Sequence, residues 1–161
     1  MAHRAQAVKA THPPLVVLRM ANAALKVLRR SPLSGRAGRS FTLLHFAGRT
    51  TGRGYTVPVS VHRHDGELLA LTSARWRHNF HGGVDVDLTI EHTTTSMRGE
   101  LVEDPAIVSR IYTERIASLG LKDAQRQIGL KITVPRRPTD DQLAEATGRD
   151  HLAVIRLTPR G

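Results

Sequence analysis

The sequence predicts a mixed α+β protein, mainly β, in which a small antiparallel β-barrel is flanked by helices. Apolar and polar residues alternate with a period of two over residues 55–61 and again over 84–90, as half-buried strands require. Short turn sequences join the successive strands, which is typical of an antiparallel sheet. A strong helical pattern returns only after about five strands, and this order indicates a helix packed across a barrel.

The amino-terminal segment predicts one helix ahead of the barrel. Residues 1–12 are polar, and we expect them to be frayed. A Pro-Pro pair then opens a helical pattern over residues 15–30, with an Ala-rich apolar face opposite a basic one. We therefore divide the chain into residues 1–32, a tail with an amphipathic helix, and residues 33–161, the barrel, which together make one domain. The helix is expected to pack on the barrel, with at most a weak peripheral membrane contact.

The remaining elements follow from local signals. Residues 41–46 form an apolar run and predict a buried strand, and Pro58 restricts the strand over 55–61 to an edge or a bulge. Asp65-Gly66 predicts a hairpin turn into a strand at 68–71. One helical turn at 76–80 and strands at 84–90 and 97–102 come next. Asp104-Pro105 begins a helix that Gly120 ends, Thr139 caps a short helix ending near residue 148, and a last strand covers 151–157.

Composition narrows the classes of function. The 161 residues contain no cysteine, which excludes disulfides, thiolate zinc sites and a cysteine nucleophile. Neither a membrane-spanning apolar stretch nor a signal-peptide pattern is found, so we expect a cytoplasmic protein, in peripheral contact with the inner membrane face at most. The formal net charge of +10 attracts polyanions, whether nucleic acid, anionic lipid or a phosphorylated small molecule.

The sharpest local feature is the segment Gly-Arg-Thr-Thr-Gly-Arg-Gly at residues 48–54, between two predicted strands. Glycines permit a tight turn, and the hydroxyl and guanidinium groups among them can hold a phosphate or a carboxylate. No helix follows, so the segment is neither a Walker A loop nor a dinucleotide-binding fingerprint. An ordinary exposed hairpin is the alternative interpretation.

A second segment, residues 72–80, leads from a strand into the only tryptophan. Its small polar residues could hydrogen-bond a planar heterocycle. Trp76 and Asn79, three positions apart, would share a face of a helical turn. The alternative is that Trp76 is simply part of the hydrophobic core, as large aromatic residues usually are.

Other chemistries find little support. Nine histidines include the pairs His62/His64 and His78/His81, but no carboxylate or thiolate is placed in the sequence to complete a metal site. A Gly-x-Ser-x-Gly nucleophile elbow is absent. Aromatic residues make up only 4% of the chain and no recognition motif occurs, which argues against nucleic-acid binding.

The two segments together resemble a known family. Residues 48–53, followed by Thr-Val-Pro-Val at 56–59, resemble a signature of the deazaflavin-dependent nitroreductases. Trp-Arg-His-Asn-Phe at 76–80, with the strand at 86–90 after it, is similar to the Trp-x-x-Asn-Leu motif of that family and its next strand. Order and spacing agree, and the resemblance extends over residues 33–158.

The resemblance implies a split β-barrel of the type that binds FMN and pyridoxamine phosphate, with residues 33–161 as its deazaflavin-binding domain. It implies coenzyme F420, whose tail carries a phosphate and glutamates, and hydride transfer to an electron-poor acceptor such as a quinone, nitro compound or activated alkene. The cofactor carries the chemistry, so no catalytic residue is nominated. The cofactor-binding residues that it implies are Arg49, Thr50, Thr51, Gly52, Arg53, Thr56, Pro58, Thr72, Ser73, Arg75, Trp76 and Asn79.

Two alternatives stay open at this stage, with nucleic-acid binding as a third and weaker one. The same barrel could hold FMN instead of a deazaflavin. A non-catalytic protein could bind a cofactor or a tetrapyrrole without turnover. A homodimer is a further expectation, since small split barrels often pair, but that rests on analogy between folds.

Overall fold

The computed structural model describes residues 7–10, 42–90, 93–128, 130–133 and 136–160. The helix predicted over residues 15–30 lies outside these ranges. The strands are β1 (Val8–Ala10), β2 (Thr42–Ala47), β3 (Gly54–Val59), β4 (Val61–His64), β5 (Glu67–Thr72), β6 (Val84–Ile90), β7 (Thr93–Val102), β8 (Leu130–Ile132) and β9 (Ala153–Pro159). The helices are a 3-10 helix (Arg75–Phe80), α1 (Pro105–Leu119), α2 (Leu121–Ile128) and α3 (Asp140–Asp150). None of the helices in these ranges is long and apolar enough to cross a membrane.

The described residues divide into two compact units. The sheet unit contains residues 42–70, 76–101 and 155–160, with a gap at 91–92. The helical unit contains residues 7–10 and 71–75 and the described part of 102–154.

The sheet unit is built on seven strands in the order β3-β2-β6-β7-β9-β5-β4. The pairs β2–β3, β2–β6, β6–β7 and β4–β5 are antiparallel. The first and last strands of this order, β3 and β4, are consecutive in the chain and separated only by Ser60. A sheet whose two edges are joined by one residue has to curl, so the predicted mixed α+β fold with a barrel-like antiparallel sheet is confirmed.

The strand predicted over residues 55–61 is divided at Ser60 into β3 and β4, because the two parts pair with different strands, β2 and β5. The other local signals of the sheet are confirmed. β3 is an edge strand, and Pro58 lies opposite Leu43 of β2, where its missing N–H costs no further ladder bond. The β4–β5 hairpin turns through Asp65 (φ 49°) and Gly66 (φ 81°), the two positive angles of a type I′ turn. The single turn predicted at 76–80 is the 3-10 helix.

The core of the sheet unit is formed by alternate residues of its strands and by Phe80 of the 3-10 helix. Phe80 is fully buried and its ring lies edge-on to Phe46, with 5.0 Å between ring centroids. Gly99 of β7 permits this approach, because a Cβ there would lie 2.7 Å from the ring. The buried members are Leu44, Phe46, Val57, Val59, Ala70, Phe80, Val86, Leu88, Met97, Ile155 and Leu157.

The helical unit confirms the predicted helix boundaries. The Asp104 side chain accepts hydrogen bonds from the first-turn N–H groups of α1, and Gly120 (φ 80°) ends the helix. Thr139 and Gln142 form the expected capping box, and α3 runs two residues beyond Gly148. Tyr112 of α1 is fully buried, and burial raises the pKa of its hydroxyl well above the ordinary value.

Three further predictions of local structure were wrong or incomplete. Residues 8–10, expected to be frayed, form β1, which pairs antiparallel with the unpredicted β8 and buries Val8 and Ala10. The helix α2 was missed because its eight residues lack the length of a clear periodic pattern. β7 begins at Thr93, four residues earlier than predicted. The sequence did not indicate this start, because the first four residues of the strand all carry hydroxyl groups and show no apolar alternation.

The end of α3 holds β1 in place. The Asp150 carboxylate accepts a hydrogen bond from the Ala10 N–H at 2.9 Å. Arg149 donates to the same carboxylate at 2.8 Å and also to the Val8 carbonyl. The hydrogen bond from Arg149 holds the pKa of Asp150 below its usual value, with the Ala10 N–H acting in the same direction. This clamp explains why a three-residue strand is ordered so near the amino terminus.

The clamp predicts an acid-sensitive contribution to stability. Asp150→Asn should lower the free energy of unfolding by about 1 kcal/mol near pH 7, a value suited to a partly exposed ion pair. Because the folded pKa lies below the ordinary 3.8, this contribution is complete above that pH and is lost as the pH falls through the folded value. Urea unfolding of wild type and variant across pH 2.5–7, on the order of one point per half unit, measures the difference.

The control is Asp141→Asn, which removes an exposed carboxylate from the first turn of the same helix. This variant keeps Asp150 and should keep the acid-side loss of the wild type. A wild type and an Asp150→Asn variant whose stabilities fall in parallel below pH 4 would show that the clamp contributes nothing.

Candidate functional site

The glycine-rich segment is a loop between β2 and β3, closed by its own hydrogen bonds. The Gly48 N–H donates to the Arg53 carbonyl at 2.7 Å, and the Gly52 N–H donates to the Gly48 carbonyl at 2.8 Å. Gly52 adopts φ 67°, a conformation that favours glycine. The Thr51 hydroxyl accepts a longer bond, 3.4 Å, from the Arg53 N–H. The loop is therefore a braced turn between two paired strands.

These bonds decide what the loop can offer a ligand. The N–H groups of Gly48, Gly52 and Arg53 are used inside the loop, so it is not an open nest of donors. Its side chains remain, and those of Arg49, Thr50 and Arg53 are exposed. Within the described residues, neither guanidinium forms an ion pair or a side-chain hydrogen bond. The loop thus exposes two guanidinium groups to solvent.

Asn79 of the 3-10 helix joins this loop to the segment that carries Trp76. Its Oδ1 accepts a hydrogen bond from the Arg49 N–H at 2.8 Å. Its Nδ2 donates to the Trp76 carbonyl at 2.9 Å. Two of the segments singled out from sequence, residues 48–53 and 76–80, are therefore in direct contact in the sheet unit. Asn79 makes this contact through its side chain, and both ends of its amide group are hydrogen-bonded to the protein backbone.

Trp76 packs against other aromatic rings and also carries an indole N–H group that is not hydrogen-bonded to a described residue. The half-buried indole packs against Phe46 and Phe80, with ring centroids 5.9 and 5.7 Å away. Its Nε1 is buried and has no hydrogen-bond partner among the described residues. A buried N–H without a partner costs free energy, so a ligand atom that accepted its hydrogen bond would gain from it.

Thr72, Ser73 and Arg75 belong to the helical unit. The Thr72 hydroxyl accepts a hydrogen bond from the Ala74 N–H at 3.0 Å, which closes a local turn after β5. Thr72 and Ser73 are half-buried, and Arg75 is exposed at the start of the 3-10 helix. The hydrogen bond occupies one lone pair of Thr72 and leaves its O–H as a donor.

Thr56 and Pro58 lie on the outer face of β3, opposite the core. The Thr56 hydroxyl shares a 2.9 Å hydrogen bond with Nδ1 of His45, and Nε2 of His45 shares one of equal length with Thr89. Thr89 in turn bonds the Thr94 hydroxyl at 2.8 Å, so one polar chain crosses four strands. Burial lowers the pKa of His45, and the negative charge of Asp87 acts in the opposite direction. The net lowering favours the neutral imidazole at pH 7. Thr56 therefore supports the sheet through His45.

A cavity of about 320 Å³ lies in the sheet unit at the base of the loop. Asp85 at its wall pairs with Arg160 at 3.3 Å and with Arg98 at 3.6 Å. The lining residues are His45, Phe46, Ala47, Gly54, Tyr55, Asp85, Val86, Asp87 and Arg160. Sequence reasoning missed this group, because its members come from four separate segments. The available signal was His45, a polar residue flanked by Leu44 and Phe46 in β2.

No model of a protein family matches the sequence, and no curated protein matches it. Among solved structures, the chain is similar to the conserved hypothetical protein Rv2991 from Mycobacterium tuberculosis, with a TM-score of 0.48 and 14% sequence identity. The match covers 93% of this chain and 87% of that one.

The braced loop predicts that Gly48 tolerates no side chain. A Cβ at this position would lie 2.7 Å from the Tyr55 ring and 3.1 Å from the Thr51 hydroxyl, so the loop or the ring must shift. We expect Gly48→Ala to lower the free energy of unfolding by about 1–3 kcal/mol, the cost of overpacking. Gly54→Ala is the control at the other end of the loop, because a Cβ there meets nothing within 4 Å. Equal stabilities of the two variants in urea would contradict the observed packing.

Proposed function

We propose that this protein binds a deazaflavin, coenzyme F420, and passes a hydride from the reduced cofactor to an electron-poor acceptor. One observation carries the proposal: the loop that presents Arg49 and Arg53 is hydrogen-bonded through Asn79 to the segment of Trp76. A cationic anchor and an aromatic surface on adjoining segments suit a ligand that is anionic at one end and planar at the other. The resemblance of both segments to the deazaflavin-dependent nitroreductases points the same way.

Charge supports the fit of the anionic tail. The phosphate and glutamates of the cofactor require cations that are not already neutralised, and guanidinium groups bind such oxyanions bidentately. Arg49 and Arg53 are exposed and carry no ion pair with a described residue, whereas Arg98, Arg149, Arg156 and Arg160 all pair with carboxylates. The Thr50 hydroxyl, also exposed, can add a hydrogen bond to the same oxyanion.

The buried Nε1 of Trp76 supports a polar acceptor atom at the planar end. A carbonyl or ring nitrogen of the heterocycle would satisfy it. When bound, the deazaflavin supplies the hydride chemistry. The protein then has three tasks: the loop holds the tail, Trp76 orients the ring, and the packed aromatic residues around it exclude water.

The finer assignment of the fold belongs to the same proposal. A split barrel is a curled sheet whose edges meet at one side and separate at another. Here β3 and β4 are joined through Ser60, but β3 pairs with β2 and β4 pairs with β5. This topology supports a split barrel, and the resemblance supplies the expectation that such a barrel holds a flavin or a deazaflavin.

The volume of the cavity at the base of the loop is consistent with a small acceptor molecule. Its volume of about 320 Å³ corresponds to about ten non-hydrogen atoms if each takes the share of one water. One quinone, nitroarene or activated alkene fits these dimensions. His45 offers a neutral imidazole, and Asp87 a carboxylate, at its wall.

A titration with coenzyme F420 and FMN side by side tests the proposal and separates its rivals. FMN carries one phosphate and no glutamates, so a tail-binding loop predicts tighter binding of F420 and a stronger weakening of that binding by salt. Tighter binding of FMN would overturn the deazaflavin assignment. Binding of F420 without turnover of quinone, nitro and alkene acceptors would favour the non-catalytic binding protein.

Arg49→Ala and Arg53→Ala should each weaken the binding of coenzyme F420 by about 1–2 kcal/mol, roughly 5- to 30-fold, because each removes an exposed charge-assisted hydrogen bond. Both side chains are exposed, so stability should not change. Calorimetric titration measures the dissociation constant.

The matched control is Arg63→Ala, which removes an exposed arginine from β4 of the same unit and lies outside the loop. It changes the net charge equally, so it isolates position from total charge. If all three variants lose the same affinity, the attraction is a general effect of the basic surface and the loop is not the tail site.

Binding should also be visible in the fluorescence of Trp76, the only tryptophan. A ring stacked near the indole should quench its emission, and Trp76→Phe should weaken binding while keeping most of the stability, since the ring contacts with Phe46 and Phe80 are preserved in kind. Emission that stays constant at saturating F420, with binding shown by calorimetry, would leave Trp76 as a core residue only.

A further inference from the structure

We infer that Asn79 is a positioning residue that couples the occupancy of the anion-binding loop to the setting of Trp76. This inference rests on the proposed function in one respect only, that the ligand of the loop is an anion. It goes further by assigning to one side chain the link between the two ends of the site. The evidence is a continuous series of hydrogen bonds from the loop to the 3-10 helix.

The series has a fixed direction. The Gly52 N–H donates to the Gly48 carbonyl, and the same peptide group donates through the Arg49 N–H to Asn79 Oδ1. Asn79 then donates through Nδ2 to the Trp76 carbonyl. Each amide in the series accepts at one end and donates at the other. Such series strengthen cooperatively, because each bond polarises the next.

The orientation of the Asn79 amide follows from its partners. A backbone N–H can only donate and a backbone carbonyl can only accept, so Oδ1 has to face Arg49 and Nδ2 has to face Trp76. Reversing the amide would place two donors together and two acceptors together. The side chain is thus held in one setting, and both bonds are made or lost with it.

The hydrogen bonds within the loop tie its parts together, so we expect a displacement of one part to carry to the others. The bonds from Gly48 N–H to Arg53 and from Gly52 N–H to Gly48 tie its two ends together, and Asn79 is attached at the peptide between Gly48 and Arg49. An anion drawn to Arg49 and Arg53 fixes this piece and, through Asn79, the backbone carbonyl of Trp76. Coupling between two sites is reciprocal, so a ligand that orders Trp76 also orders the loop.

The coupling indicates which class of ligand binds more tightly because of it. A molecule that contacts only the loop, or only Trp76, has to order both regions, although it gains binding energy from one of them. A molecule that is anionic at one end and planar at the other meets a partner already ordered by its first contact, and its two contacts are cooperative.

The test uses three variants of the full chain. Asn79→Ala removes both bonds. Asn79→Asp keeps an acceptor for the Arg49 N–H and removes the donor to the Trp76 carbonyl. Ser96→Ala is the control, since it removes one exposed side-chain hydrogen bond, to Asp87, in the same unit. Circular dichroism establishes that each variant is folded before it is compared.

The first measurement is made without ligand. Amide hydrogen exchange at Arg49, followed by NMR, should be at least about fivefold faster in Asn79→Ala, as expected for the loss of one hydrogen bond. It should stay close to wild type in Asn79→Asp and in Ser96→Ala. Unchanged exchange in Asn79→Ala would overturn the inference whether or not any anion binds.

The second measurement uses inorganic pyrophosphate at constant ionic strength. In wild type and Ser96→Ala, the pyrophosphate should bind by calorimetry and shift the emission of Trp76. In Asn79→Ala it should still bind, while the shift is lost. In Asn79→Asp the added carboxylate beside Arg49 should weaken binding, and the shift should be absent even at saturating pyrophosphate. A shift that persists in both Asn79 variants, or is absent from the wild type despite binding, would overturn the coupling and leave the proposed function intact. Absence of binding to the wild type would overturn both.

Discussion

The connection between the two edge strands of the sheet through Ser60 is the constraint on which the rest of the sheet unit depends. β3 and β4 form the two edges of a seven-stranded sheet, yet the chain passes from one to the other through a single residue. The sheet has to curl to allow this, and the curl gives the sheet unit an inside. Phe46, Phe80 and Ile155 fill that inside, and Gly99 gives the Phe80 ring the space of a missing side chain. The loop at residues 48–53 leaves the sheet between β2 and the edge strand β3.

Much of this fold could be predicted because its signals are local. Pro58 indicated an edge strand, Asp65-Gly66 a type I′ hairpin, and Asp104 and Thr139 the starts of helices, and each of these depends on residues within one turn of the chain. β1 and β8 escaped prediction since each has three residues and is ordered by its partner. The bonds of Asp150 and Arg149 to β1 join residues about 140 positions apart, and no local pattern reveals them.

The candidate site divides in the same way. Sequence identified the loop and the Trp76 segment separately, from glycine, arginine and aromatic residues in short windows. It did not show that Asn79 joins them, because the bond from the Arg49 N–H spans 30 residues. Nor did it show that the N–H groups of the loop bond within the loop, since that depends on the conformation of Gly52. His45 and the cavity beside it required the register of β2 with both β3 and β6.

Carboxylates are distributed so that the loop keeps its charge. Carboxylates of described residues pair with Arg98, Arg149, Arg156 and Arg160, and no acidic residue occurs between residues 48 and 64 of the sequence. An ion pair at Arg49 or Arg53 would have to be broken before an anion could bind, and its loss would offset part of the new interaction. Two exposed guanidinium groups on a braced turn bear no such cost. In the proposed binding of an oxyanion, their attraction is therefore not reduced by a competing ion pair with a described carboxylate.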